Sequence, residues 1–212
     1  MRIARPVILS LLLLTALASG CEREQDAATV PVDPPGPIRA VVRTVRGDFT
    51  IELRPEAAPV SCASFVNLVQ RNFFDDLTFY RHSQVVRQVG NPHGSKDRRW
   101  EPGYRLSPEF SPDLKFDRPG MVALVRETDD VRSPVRPNEF FVTTKPQSER
   151  FTFVFPVFAE VVEGQEVVDS IRENDRVFGI DIVGDPSSLL QTHRDLVVEW
   201  NRRLDASPDP RD

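Results

Sequence analysis

Between Ile38 and Val183 apolar residues come in short bursts at every second position, leaving room for only two helices among them. That rhythm constrains the fold more than any other feature, because a period of two is the signature of a strand with one face buried. Phe49, Ile51 and Leu53 alternate with Thr50, Glu52 and Arg54, and Val41, Arg43 and Val45 alternate before them. With Arg46, Gly47 and Asp48 as the turn, Ile38 to Arg54 reads as a β-hairpin. Shorter extended pieces are expected within Phe79–Gly90, Gly120–Val125, Phe140–Thr143, Val157–Val162 and Ile180–Ile182.

The period changes in two places. Cys62, Phe65, Val66 and Val69 recur at spacings of three and four, which predicts a helix within Pro55–Phe74. Pro59 and Ser61 suit its first turn, where a missing N–H is harmless and a hydroxyl can cap. A shorter helix is expected near Gln165–Arg172. Many short strands with two flanking helices predict a mainly β protein, a closed antiparallel barrel capped by helices.

The sequence continues beyond that barrel. Asp185, Pro186 and Ser187 form a helix-start signal. Leu189, Leu190, His193, Leu196, Val197, Trp200 and Leu204 then mark one apolar stripe. The stripe predicts an additional C-terminal helix over 185–212, docked on the domain or offered to a partner. His193 on that stripe reads as a packed side chain. No His, Cys or carboxylate spacing suggests a metal site, and no cofactor motif is present.

The N-terminal residues stand apart. Arg2 and Arg5 precede an apolar run from Val7 to Leu17, too short to span a bilayer and suited to the h-region of a secretory signal over residues 1–20. Leu17-Ala18-Ser19-Gly20-Cys21 resembles a bacterial lipobox, with Cys21 as the lipidated residue; the bland alternative is an ordinary cleavable signal with a coincidental cysteine. A multiply acylated Cys21 anchors stably to a membrane. Residues 21–37, with Pro31, Pro34, Pro35 and Pro37, form a tether too polar to order itself. The expectation is a protein in the cell envelope, lipid-anchored to a bacterial membrane and facing the periplasm or exterior. If Cys21 carries lipid, Cys62 stands alone as a buried core residue rather than a catalytic thiol.

About 175 residues remain for the folded part, 38–184 for the domain and 185–212 for the tail, enough for one sizeable core. The chain carries a formal charge of −5 and is two units more acidic without Arg2 and Arg5. With no clustered basic stripe, nucleic acid is excluded as a partner class.

Several segments, taken in order, resemble the cyclophilin family of peptidyl-prolyl cis-trans isomerases. Gly47–Leu53 is similar to the opening hairpin, and Ala57–Ser61 with Phe65–Leu68 to the first helix. Phe74–Arg81 is similar to the stretch that ends in the family's catalytic arginine. Gln88 with Gly90-Asn91-Pro92 follows. Gly103-Tyr104, Glu109-Phe110, Gly120–Ala123, Phe140–Thr143, Phe158–Val161 and Glu163-Gly164 continue the pattern. The resemblance covers about Val41 to Val183.

The resemblance implies an isomerase acting on proline-containing unfolded or extended polypeptides. Arg81 is then the donor to the prolyl nitrogen, Gln88 holds backbone groups of the peptide, and Phe141 floors a proline pocket aided by Val85, Val86, Leu124 and Phe151. Such chemistry needs no nucleophile, metal or cofactor: the amide has only to be twisted out of resonance.

The sequence departs from the family around that pocket. Arg81 is followed by His82-Ser83-Gln84, one residue fewer than usual, and Val85 replaces a phenylalanine. The swap implies a roomier or a collapsed pocket. Glu139 replaces a glutamine, which puts a carboxylate near Arg81. Val125-Arg126-Glu127 replaces a peptide-binding Ala-Asn-Ala, so Val125 and Arg126 are expected to touch peptide, and crowding by Arg126 and Glu127 would disfavour bulky groups before proline. Ser148-Glu149-Arg150 stands where a tryptophan or histidine is usual, and Phe155 where a histidine or tyrosine is. Two readings follow: an envelope isomerase, or a lipid-anchored binding or scaffold module that has lost turnover.

Overall fold

A computed structural model of the chain describes residues 36–128 and 130–211. The expected leader, the lipidated Cys21 and the tether as far as residue 35 lie outside the described residues.

The hairpin forms as the alternation requires. Strands β1 (Arg39–Thr44) and β2 (Gly47–Leu53) pair from Arg39 opposite Glu52 to Thr44 opposite Gly47. The turn is Val45-Arg46, one residue earlier than expected. Thr44 Oγ1 fixes it by donating to the Gly47 carbonyl at 2.7 Å and accepting the Arg46 N–H.

Helix α1 (Pro59–Gln70) begins with proline in its first turn, as expected, but Ser61 does not cap it. The cap is distant: the Glu109 carboxylate accepts the Val60 and Ser61 N–H groups at 3.1 and 2.8 Å and the Ser61 hydroxyl at 2.6 Å. Two otherwise orphaned helix donors are satisfied, and a negative charge meets the positive end of the helix dipole.

The remaining strands are β3 (Arg81–His82), β4 (Val86–Val89), β5 (Met121–Arg126), β6 (Val135–Thr143), β7 (Val157–Glu163) and β8 (Val177–Val183). Short helices α2 (Ser148–Phe151) and α3 (Gln165–Ser170) interrupt them. All pairings are antiparallel, in the order β3-β4-β6-β5-β7-β2-β1-β8. The ladder is therefore open, a half-barrel and not the closed barrel expected. β3 is two residues long and does not reach β8. The preceding irregular segment spans the gap instead: Phe79 N–H donates to the Asp175 carbonyl at 2.9 Å, and Val177 N–H to the Leu77 carbonyl at 2.7 Å.

Two apolar clusters lie on opposite faces of this sheet. Inside the half-barrel, Phe65 of α1 packs on Phe74, Phe140 and Phe158 with ring centroids 5.3 to 5.7 Å apart. Cys62 is fully buried there, its thiol bonded to the Phe158 carbonyl and its pKa pushed up by burial. The outer cluster holds Val86, Phe116, Met121, Ala123, Val125, Phe141 and Val157. β5 serves both faces: Met121, Ala123 and Val125 point outward while Val122 and Leu124 point inward.

β6 carries a bulge. Its pairing with β5 jumps from Phe140 opposite Leu124 to Arg136 opposite Val125, so Pro137, Asn138 and Glu139 lie in the loop of the irregularity. The Asn138 carbonyl comes so close to Gly90 that a Cβ there would lie 1.8 Å away, and Gly90 has φ +113°. Only glycine fits, and the bulge turns Glu139 fully inside.

The tail folds as two helices rather than one, α4 (Ser187–Thr192) and α5 (Arg194–Asp205), broken at His193. The ring of His193 lies 2.9 Å from the Leu189 carbonyl, at the end of α4. Trp200 and Leu204 are buried, whereas Leu196, expected on the same stripe, is exposed. Asn67 of α1 and Arg71, just past its end, bond to Asn201 and Asp205 of α5.

Candidate active site

A hollow of about 750 Å³ opens on the outer face of the sheet, beside the second apolar cluster. Its floor is Phe141, delivered by β6 with the phase opposite to Phe140. Phe155 stands edge-on to Phe141 at 5.1 Å and Phe151 at 5.8 Å, while Phe116 stacks nearly parallel at 6.1 Å. Val85, Val86, Val125 and Val154 complete the apolar lining. Exchange of an aromatic for Val85 has left the site open rather than collapsed.

Arg81 stands at the lip. Its backbone pairs with Gln88 across β3 and β4, and its Nη1 donates to Gln88 Oε1 at 3.1 Å. The side chain of Arg81 is exposed and also lines the hollow. Gln88 is buried, with its amide occupied at both ends: its oxygen by Arg81 and its nitrogen by Tyr80 Oη. In this arrangement it orients the arginine.

Five sequence-picked residues gather with Arg81, Gln88 and Phe141 around the hollow: Val85, Val86, Val125, Phe151 and Phe155. Three do not line it. Leu124 packs in the inner core, since it sits on the other phase of β5. Arg126 is buried behind the wall, its guanidinium 5.5 Å from the centroid of Phe155 and bonded to the Asp130 carbonyl. Glu139 lies beneath the site, where it meets Tyr80, Arg99 at 3.5 Å and Arg136 at 3.8 Å, not Arg81. Glu127, like Arg126, does not line the hollow, and is tied to Arg105 and Arg136.

Sequence reading missed Phe116, Ser83, Gln84 and Val154, and gave Tyr80 and Arg150 no role. Tyr80 sits next to Arg81 in the Phe79-Tyr80-Arg81 segment, which was the available signal. Phe116 lies in a polar loop, Lys115-Phe116-Asp117, with no periodic neighbour to mark it.

The arrangement offers an apolar floor for a five-membered ring and a permanently charged donor at its edge, held by Gln88. Among the described residues no cluster of three metal-ligating side chains is present. A half-barrel with such a hollow outside its sheet can hold an apolar ring of proline size beside a guanidinium.

Comparison with known proteins specifies the family. Residues 39–183 match the family described as "Cyclophilin type peptidyl-prolyl cis-trans isomerase/CLD". Peptidyl-prolyl cis-trans isomerase A of Mycobacterium tuberculosis is 31% identical over 169 residues, covering 70% of this chain and 87% of that protein. A peptidyl-prolyl cis-trans isomerase of Synechococcus elongatus is 29% identical over 150 residues, covering 69% and 97%. Among solved structures, a cyclophilin-type isomerase of Cryptosporidium parvum superposes with a TM-score of 0.64 at 19% identity, covering 71% of this chain and 100% of that one. The same protein crystallised in the presence of the dipeptide Ala-Pro gives 0.62. The chain belongs to the cyclophilin-type peptidyl-prolyl cis-trans isomerase family.

Proposed function

We propose that this protein rotates X–Pro amides of unfolded or extended polypeptides in the cell envelope, with Arg81 as the donor that stabilises the twisted amide. The barrier to that rotation is about 18–20 kcal/mol in a simple peptide bond and arises from resonance between nitrogen and carbonyl. Twisting returns a lone pair to the prolyl nitrogen, and a donor already in place lowers the barrier without reorganising. The observation that carries this reading is the position of Arg81. One of its N–H groups is held by Gln88, and the guanidinium stands at the lip of an apolar hollow floored by Phe141.

Kinetics of cis-trans interconversion on a panel of X–Pro peptides tests the mechanism. Wild type should accelerate the exchange, and Arg81→Ala should lose about a hundredfold in kcat/KM, as for removal of one preorganised donor. Equal acceleration by the two proteins would overturn it.

The envelope setting rests on Arg2, Arg5, the Val7–Leu17 run and Cys21. On this reading a lipid on Cys21 holds the domain at a bacterial membrane. Metabolic labelling with an alkynyl fatty acid should mark the wild-type protein and not Cys21→Ser; equal labelling would remove the anchor from the proposal.

A further inference from the structure

Four side chains form a hydrogen-bonded line running inward from the lip of the hollow. Arg81 Nη1 donates to Gln88 Oε1, Gln88 Nε2 donates to Tyr80 Oη, and Tyr80 Oη donates to Glu139 Oε2. Gln88, Tyr80 and Glu139 are all buried.

The middle links are reversible by themselves. A glutamine amide turned by half a rotation presents N–H where its oxygen stood, and a hydroxyl both donates and accepts. With Gln88 turned, the Arg81 guanidinium would face another donor and lose its anchor. The last link is not reversible, because a carboxylate only accepts. Tyr80 must then donate inward, which leaves its lone pairs for the Gln88 amide nitrogen and turns the Gln88 oxygen toward Arg81.

Other features hold the carboxylate in that role. The β6 bulge against Gly90 buries Glu139. Arg99 and Arg136, at 3.5 and 3.8 Å, offset the cost of burying its charge. Burial first, and then the charge of Glu139, keep the Tyr80 phenol protonated well above its ordinary range, so its proton stays available to donate.

We propose that Glu139 is a positioning residue: its acceptor-only carboxylate sets the direction of the line and thereby aims the Arg81 guanidinium at the hollow. The inference rests on Arg81 acting as the donor in catalysis.

Two substitutions at one position separate direction from shape. Glu139→Gln keeps the shape and abolishes the direction, whereas Glu139→Asp shortens the side chain and keeps an acceptor. Glu139→Gln should lower kcat about tenfold with KM little changed, the loss of one oriented hydrogen bond in the transition state. Glu139→Asp should be the milder variant. Tyr80→Phe should also be milder than Glu139→Gln, since Gln88 Nε2 already lies 3.4 Å from Glu139 Oε2 and that contact preserves the direction. A Glu139 that only filled space would reverse the order, with Asp worse than Gln, and one that acted only through its ion pairs with Arg99 and Arg136 would lower stability in Glu139→Gln with kcat unchanged; either result would overturn the proposal.

Side-chain amide NMR gives a readout independent of turnover. In wild type the Gln88 NH₂ group should give one set of resonances, and in Glu139→Gln a second set from the turned amide. Superimposable Gln88 spectra would overturn the proposal. If wild type shows no arginine-dependent catalysis, the functional reading falls, while these spectra still decide the direction of the line.

Discussion

Trp200 of α5 stacks on Tyr104 with ring centroids 5.5 Å apart and planes 19° from parallel. The contact joins the C-terminal tail to the loop between β4 and β5, whose Tyr104 hydroxyl bonds in turn to Ser64 of α1. Arg203 adds a bond to the Gly103 carbonyl, and the Trp100 indole donates to the carbonyl of Pro208. The tail, which begins after the residues matched to the family, is therefore packed into the fold.

Trp200→Ala should accordingly cost about 3 kcal/mol of stability, the lower end for truncating a buried tryptophan. In a domain of this size that corresponds to a fall of roughly 6–12 °C in Tm. Calorimetry or urea unfolding checks it. A change below about 0.5 kcal/mol, the range of an unremarkable surface site, would mean that the tail is not docked in solution.

Phe141→Ala should act on binding more than on the chemical step. The ring contributes the floor of the hollow and contacts Phe116, Phe151 and Phe155, but no donor. Losing that apolar surface should raise KM at least tenfold, at about 1.5–3 kcal/mol for a buried side chain of this type. Peptide titration and isomerisation kinetics together report the split. A drop confined to kcat would contradict the assignment of Phe141 as floor.

Charge around the hollow should bias substrate choice. The two ionisable side chains that line it, Arg81 and Arg150, are both cationic, whereas Glu139 is turned away beneath it. Peptides with a glutamate beside proline should show a KM severalfold lower than peptides with a lysine there, at low salt. The difference should fade as ionic strength reaches about 1 M, where the screening length is near 3 Å. Arg150→Glu should weaken or invert the preference; an unchanged order would assign Arg150 no part in it.

Stability should decline in alkali. Burial raises the pKa of Cys62, of Tyr80 and of Tyr104, so the folded state keeps protons that the unfolded chain gives up. The sign follows: the contribution is complete below the ordinary thiol and phenol range, about pH 8.5–10, and is lost as pH rises through the higher folded values. Urea unfolding from pH 7 to 11 should show a falling free energy. Cys62 should resist alkylation in the native protein at pH 8.5 and react once it is unfolded.

Much of the sheet was legible because alternation is a local property: Phe49, Ile51 and Leu53 announce their face without help from distant residues. The floor residue Phe141 was legible by resemblance. Leu124 was assigned to the wrong side because all six residues of β5 are buried. When both faces of a strand are covered, polarity no longer distinguishes them. Glu139 was assigned to the wrong partner because a bulge re-aims a side chain through backbone pairing that sequence spacing does not express. The Glu109 cap on α1 was invisible for a related reason, lying 48 residues from Ser61. The apolar stripe of the tail ran through His193 without a gap, so the break between α4 and α5 left no trace in it.

The sheet works as a party wall between two rooms. Val122 and Leu124 furnish the inner room, while Ala123 and Val125, their immediate neighbours, furnish the outer one. Substitutions on opposite sides that share no contacts should then combine nearly additively in their effect on folding. The outer room can be refurnished for a different peptide while the inner one goes on holding the building up.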